Sequence, residues 1–518
     1  MEIINNQVLV IRTKFPSRIT ETIKKSKVVQ KNGEVSEVAV NWGLHEAQTL
    51  RTLNLRNIPS PIIRDYKWPG AYPPMAHQKD TASFFTLHKR AFCFNEQGTG
   101  KTAAAIWAAD YLMEQGLINR VLVICPLSIM QASWQSDLFK CALHRTVAVA
   151  HGTREKRKSL VNSNAEFVIV NYDGVETIAD TIIEDGTFDL IIVDEANAYK
   201  NVNTKRWKTL QKLIKPTTWV WMMTGTPAAQ SPTDAYGLAK MVVPHAVPRF
   251  FGAFRDMVMT NISRFKWIPK YNSQQTVFAA LQPAIRFIKE DCIDLPEITY
   301  TARHAPLTAQ QEKYYQILKK DMLLSAAGEE VSSVNAATNL TKLLQISGGA
   351  VYTDSGNTIE FDVSNRLSVV QEVIEEASHK VLVFVPFTHT IMLLSEYLSK
   401  NGITSEIING QVPVNKRTDI IKRFQENPEP KVLIIQPQAA AHGVTLTAAN
   451  VVIWYAPVTS IETYLQANAR IHRQGQKNPM TVVHITGSQV ETKLYGMLQN
   501  KLNVHTQLVD LYKNEINS

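Results

Sequence analysis

Short apolar runs alternate with helical patterns twice along this 518-residue chain, and that repetition constrains the fold more than any other feature. The first set is Ala91–Phe94, Val121–Cys125, Phe167–Val170, Leu190–Val193 and Trp219–Met223, with a helical pattern over Thr102–Gln115 between the first two. The second is Val381–Val385, Glu406–Ile408, Val432–Ile435, Val451–Trp454 and Thr481–Ile485, with helical stretches at Thr390–Lys400 and Asn415–Gln425. Strands that read as unbroken apolar runs are buried on both faces, which calls for a parallel sheet covered by helices. The expected class is therefore α/β, with two doubly wound parallel sheets of ordinary domain size.

From about Ala228 to Thr353 the strand signals fade and helical periodicity dominates, as in Gln310–Leu324 and Ala336–Ile346, so this stretch reads as a helical insertion and bridge. The first 70 residues, rich in Val, Ile and Thr, read as a small β-containing domain. They carry 11 Lys/Arg against 6 acids. The resulting division is 1–70, a basic N-terminal domain; 71–245, a first lobe; 246–355, the insertion; 356–490, a second lobe; and 491–518, a C-terminal brace.

Four segments carry chemistry. Phe92-Cys-Phe-Asn-Glu-Gln-Gly98-Thr99-Gly100-Lys101-Thr102 places a glycine turn between a strand and a helix, so backbone N–H groups can surround a polyphosphate. Lys101 then reaches the β/γ-phosphates and the Thr102 hydroxyl holds Mg²⁺. Asn95 stands where the strict pattern has glycine. Asp194-Glu195 follows an apolar strand and suits an Mg²⁺ ligand and a water-orienting base, although alone it also fits a solvated strand end. Thr224-Gly-Thr226-Pro227 ends the next strand and in isolation reads as a turn. Far downstream, Arg470 and Arg473 sit three apart; on a helix both guanidiniums share one face, suited to developing phosphate charge or simply to water.

Taken in this order, the motifs resemble the Swi/Snf-type ATPases, a DNA-translocating branch of helicase superfamily 2, over about residues 70 to 505. His77-Gln78 resembles that family's adenine-reading glutamine. Val121 through Ser128, with Trp134, resembles its segment touching the nucleic-acid backbone. Ile285-Arg-Phe-Ile-Lys-Glu-Asp291 with Leu295-Pro296 resembles the entry to its second core. Ala441-His-Gly443-Val-Thr445-Leu446 and Gln466 through Gln476 resemble its second-core signatures, and Glu491–Tyr495 its C-terminal brace. Asn197 departs from the usual histidine, and His442 from a more usual glycine.

The resemblance implies two RecA-like lobes that use ATP and Mg²⁺. Gln78, Gly98, Thr99, Gly100, Lys101 and Thr102 would bind nucleotide, and Thr102 and Asp194 the metal. Lys101, Asp194, Glu195, Arg470 and Arg473 would be catalytic. Ser128, Trp134, Thr226, Thr388, Gly443 and Thr445 would meet nucleic acid. It further implies a monomeric translocase on double-stranded or branched DNA and its bound proteins, acting in branch migration or annealing. A strand-separating DNA or RNA helicase and a catalytically idle binding factor are the competing readings.

Composition adds less. Lys+Arg 55 minus Asp+Glu 46 gives +9, which fits a polyanionic partner and an ordinary basic protein equally. The four cysteines form no Cys-x-x-Cys pair, no leader-like start is visible, and no run approaches 18 apolar residues. These features point to a reducing intracellular compartment (cytoplasm or nucleoid, or host cytoplasm for a viral protein), with no membrane association.

Overall fold

The computed structural model describes residues 1–500 apart from 56, 226, 229–230, 264–265, 293–294, 327–332, 353–357, 441–444 and 474. It divides into two compact units. The first holds 1–227, 235–251 and 277–292; the second holds 228–234, 252–276 and 293 onward.

The first unit is built on a seven-stranded, wholly parallel sheet. Its spatial order is Ala284–Ile285, Arg90–Cys93, Trp219–Met223, Leu190–Asp194, Val121–Cys125, Phe167–Asn171 and Val147–Val149. Every residue of the strands beginning at Val121, Phe167, Leu190 and Trp219 is buried, as both-face coverage by helices requires. The second unit holds a six-stranded parallel sheet in the order Ile298–His304, Met480–Thr486, Ala449–Trp454, Lys380–Phe384, Val432–Ile435 and Ser405–Ile408. Both expected sheets are thus present, with strand boundaries within two residues of those expected.

The stretch expected to be a helical bridge is mixed. Helices Ala309–Ala326 and Ser333–Gly348 are there, but so are a hairpin, Met259–Ser263 with Lys266–Pro269, and two strands that complete the sheets. Ala284–Ile285 extends the first sheet, and Ile298–His304 pairs along its whole length with Met480–Thr486. Periodicity misses both for a physical reason. One is two residues long. The other is an edge strand whose side chains are mostly exposed, held by backbone pairing instead of an apolar run.

Residues 1–70 form a four-stranded antiparallel sheet in the order Glu2–Ile4, Val8–Thr13, Val35–Asn41, Lys27–Asn32, closed by its own core around Leu9, Val38, Trp42 and Leu50. Polar contacts fasten this piece to helix Ala76–Leu87. Gln48 Nε2 donates to the Thr86 carbonyl at 2.8 Å, and the Ser60 and Thr86 hydroxyls bond at 2.7 Å. Gly70, at φ +133°, lets the chain pass where a side chain would meet the Lys140 carbonyl oxygen at 2.4 Å. No helix among the described residues is long and apolar enough to cross a membrane.

In the second unit, helix Gln489–Gln499 buries Val490, Leu494, Tyr495 and Leu498, and its Glu491 forms a buried ion pair with Arg366 at 2.8 Å. The second Glu491 oxygen accepts the Gly487 and Ser488 N–H groups, while Arg366 also donates to the Tyr455 carbonyl at 2.6 Å. Removing one member of such a pair strands a buried charge. Glu491→Gln is expected to destabilise the second unit by about 3 kcal/mol, read as a lowered denaturant midpoint. A midpoint within error of the parent's would show that the pair carries no such weight.

Candidate functional site

Parallel pairing brings three chain segments to one sheet edge. Met223 is opposite both Cys93 and Asp194, so the strands ending there deliver the phosphate-type loop, the carboxylate pair and the Thr224 turn side by side. Ligands of open α/β sheets bind at this C-terminal edge. Thr224 N–H donates to the Cys93 carbonyl at 3.0 Å, and a Cβ on Gly225 would sit 3.3 Å from Gln97 Cγ.

Loop 94–100 enters helix Lys101–Glu114 through Gly98 and Gly100, at φ +88° and +77°. Gly100 is required by its left-handed backbone, and a Cβ there would push the Gln78 amide aside. Gln78 is buried beside the loop; its Oε1 accepts the Met75 N–H at 2.9 Å and its Nε2 lies 3.4 Å from the Thr99 carbonyl. The His77 ring bonds that same carbonyl at 2.8 Å. Lys101 Nζ reaches the Glu96 carbonyl at 3.3 Å, and the Thr99 hydroxyl donates to it at 2.7 Å. Thr102 follows, half-buried, in the first helical turn.

Asn95 has a structural use that explains the missing glycine. Its Nδ2 donates to Thr81 Oγ1 at 2.8 Å and its Oδ1 accepts the Phe287 N–H at 3.0 Å, so it ties the loop to a helix and to the returning chain. That returning chain, the Ile285–Lys289 segment, runs along the loop: Glu96 N–H donates to the Phe287 carbonyl and Lys289 N–H to Glu96 Oε2.

Two side chains hold the carboxylates and a third holds the backbone that carries them. Trp134 Nε1 donates to Asp194 Oδ2 at 2.9 Å, while Oδ1 accepts the Glu195 N–H at 2.9 Å. Gln97 Nε2 donates to Glu195 Oε1 at 3.1 Å, linking loop and carboxylate directly. The Tyr172 hydroxyl donates to the carbonyls of Asp194 and Glu195 at 2.7 and 3.1 Å. Burial, reinforced by the charges of Glu195 and Asp194, pushes that hydroxyl well above its ordinary range, so it stays a donor. Glu195 itself is left-handed, at φ +49°, a strain that Tyr172 helps to hold.

Trp134 therefore needs correcting. As a fully buried indole on Asp194 it is out of reach of nucleic acid, and it belongs with the carboxylates. Ser128 remains half-buried at the start of that segment. Tyr172 and Gln97 are residues that the motif reading missed. Gln97 lies inside the glycine loop, where its position was available; Tyr172 begins an ordinary helix and gives no signal.

Arg470, Arg473, Thr388 and Thr445 belong to the second unit. The two arginines are not on a helix as expected. Helix Ile461–Asn468 stops where the buried Asn468 Oδ1 accepts the Trp454 indole N–H at 3.0 Å, and the arginines occupy the turn beyond it. That turn is pinned: Leu446 N–H donates to the Arg470 carbonyl, His472 Nε2 bonds the Pro296 carbonyl at 3.0 Å, and Gln476 Nε2 donates to the Ala449 carbonyl. Thr445 immediately precedes Leu446, and Thr388 opens helix Thr388–Lys400 half-exposed. Thr226, Gly443 and residues 501–518 of the brace lie outside the described residues.

The donor set fits a magnesium nucleotide. Glycine-turn amides, a lysine and a helix N-terminus suit a polyphosphate, and hydroxyl and carboxylate oxygens suit a hard divalent cation.

Comparison with known proteins gives the family. A model of the SNF2-related domain matches residues 38–347, and one of the helicase conserved C-terminal domain matches residues 365–475. The chain is 27% identical over 439 residues to chromodomain-helicase-DNA-binding protein 1-like of Mus musculus, covering 80% of this chain and 47% of that protein. It is 24% identical over 421 residues to putative protein p41 of Acyrthosiphon pisum secondary endosymbiont phage 1, covering 77% and 89%. The chain thus spans about half the length of the mouse relative. Among solved structures it resembles the Sulfolobus solfataricus SWI2/SNF2 ATPase core in complex with dsDNA, at TM-score 0.42 and 23% identity, covering 85% of this chain and 94% of that one.

Proposed function

Because the chain belongs to the SNF2-related family, we propose that it is an ATP-driven motor that moves on double-stranded DNA without reading its sequence. The observation that carries this reading is the single sheet edge at which loop 94–100, Asp194 and Glu195 meet.

In this reading Lys101 and the loop amides grip the β- and γ-phosphates, while Gln78, buried against the loop, faces the base. Thr102 and Asp194 would hold Mg²⁺, which when bound neutralises phosphate charge. Glu195 orients the attacking water and accepts its proton. Arg470 and Arg473 are assigned to the charge that develops on the transferred phosphoryl group. Loss of the γ-phosphate removes what these groups grip, which switches the motor between states. Ser128, Thr388 and Thr445, together with Thr226 and Gly443, are assigned to the phosphate backbone of DNA.

Backbone contacts carry no sequence information and release counterions. The expected result is ATP turnover stimulated more by blunt duplex and branched DNA than by single strands or RNA at one salt concentration. For every phosphate that a Lys or Arg neutralises, the log–log salt slope of affinity should steepen by about 0.9. Strand displacement from a blunt duplex would favour a separating helicase instead, and turnover unresponsive to every nucleic acid would favour an idle binding factor. Remodelling of bound proteins, branch migration and annealing are the finer activities to be compared on the same substrates.

A further inference from the structure

The segment assigned to the DNA backbone and the carboxylate assigned to the metal are joined by one side chain. Residues Met130–Gln135 form a π-helical turn, a wide turn uncommon in proteins and frequent at functional sites. It has two faces. Gln131 and Ala132 are exposed, as is Leu127 just before it, whereas Met130 and Trp134 are buried. The Trp134 indole, at 0% exposure, spends its one N–H on Asp194 Oδ2. A buried indole needs an acceptor, and a bond to an ionised carboxylate is stronger than one to a neutral oxygen.

From this geometry we infer that Trp134 is a positioning residue that transmits nucleic-acid binding on the 127–135 segment to Asp194. The inference rests on the motor reading above and deepens it. A shift of this turn when its exposed face docks on a phosphate backbone moves the indole, and with it the orientation of the Asp194 carboxylate. Oδ1 is tied to the Glu195 N–H, so the same movement reaches the water-orienting residue.

The test replaces the N–H while keeping a ring, with Trp134→Phe and with β-(3-benzothienyl)alanine at position 134, which puts sulfur in place of the N–H at nearly constant shape. ATP turnover is measured with and without blunt duplex DNA in the full chain, along with KM for ATP and DNA affinity by fluorescence anisotropy. The expected outcome is a fall of about tenfold in the ratio of stimulated to basal kcat, with KM and DNA affinity within about twofold of the parent. A ratio unchanged within about twofold, including the case where both rates fall by one factor, overturns the coupling and leaves Trp134 a structural support. If Trp134→Phe does not fold, the benzothienyl variant decides by the same ratio. A parent chain with no nucleic-acid stimulation would instead sink the motor reading, and this inference with it.

Discussion

Lys101→Ala should lower ATP turnover by about 10²–10³-fold while leaving duplex DNA binding nearly intact. The ammonium sits in the first helical residue after the glycine turn, and its Nζ lies 3.3 Å from the Glu96 carbonyl, a neutral partner that it can exchange for phosphate oxygens. Its charge is the one feature of the loop that the backbone amides cannot supply. Truncation at this half-buried position leaves the Gly100–Gln78 packing and the Asn95 bonds untouched, so the fold should survive. Steady-state hydrolysis and anisotropy on one preparation check both halves of the expectation. Near-normal turnover would remove the phosphate-loop assignment.

Arg473→Ala should cost more, about 10³-fold in kcat or beyond, with ATP affinity kept within a few fold. A guanidinium acting on developing charge does most of its work in the transition state, so its loss shows in kcat and spares KM. Arg473 is the better probe of the pair. Arg470 is buried, so replacing it mixes catalysis with packing, whereas Arg473 is half-buried in a turn held by His472 and Gln476. Arg473→Lys keeps the charge but loses the planar fork, and should recover only part of the rate. A normal kcat in the alanine variant would remove Arg473 from the chemistry.

Both sheets were readable because buried parallel strands leave short apolar runs that recur between helical patterns, and the observed ends at Val121–Cys125 and Val432–Ile435 match residue for residue. The glycine loop was readable because its geometry needs particular residue types at particular spacings. The arginine pair was readable as residue types but not as structure. A helical spacing of three does not reveal that the helix stops at Asn468, whose side chain takes a buried tryptophan N–H from a strand of the sheet.

The sequence by itself determined the two α/β sheets, the phosphate-type loop and the strand that ends in Asp194, since each rests on local periodicity or on chemistry between near neighbours. Only the tertiary structure decided what Trp134, Tyr172, Asn95 and the Ile285–Lys289 segment do. Their partners lie 60, 22 and, for Asn95 with Phe287, 192 positions away. A single hydrogen bond across that distance imposes no period and no spacing, so it becomes visible only when the sheet brings the strand ends together.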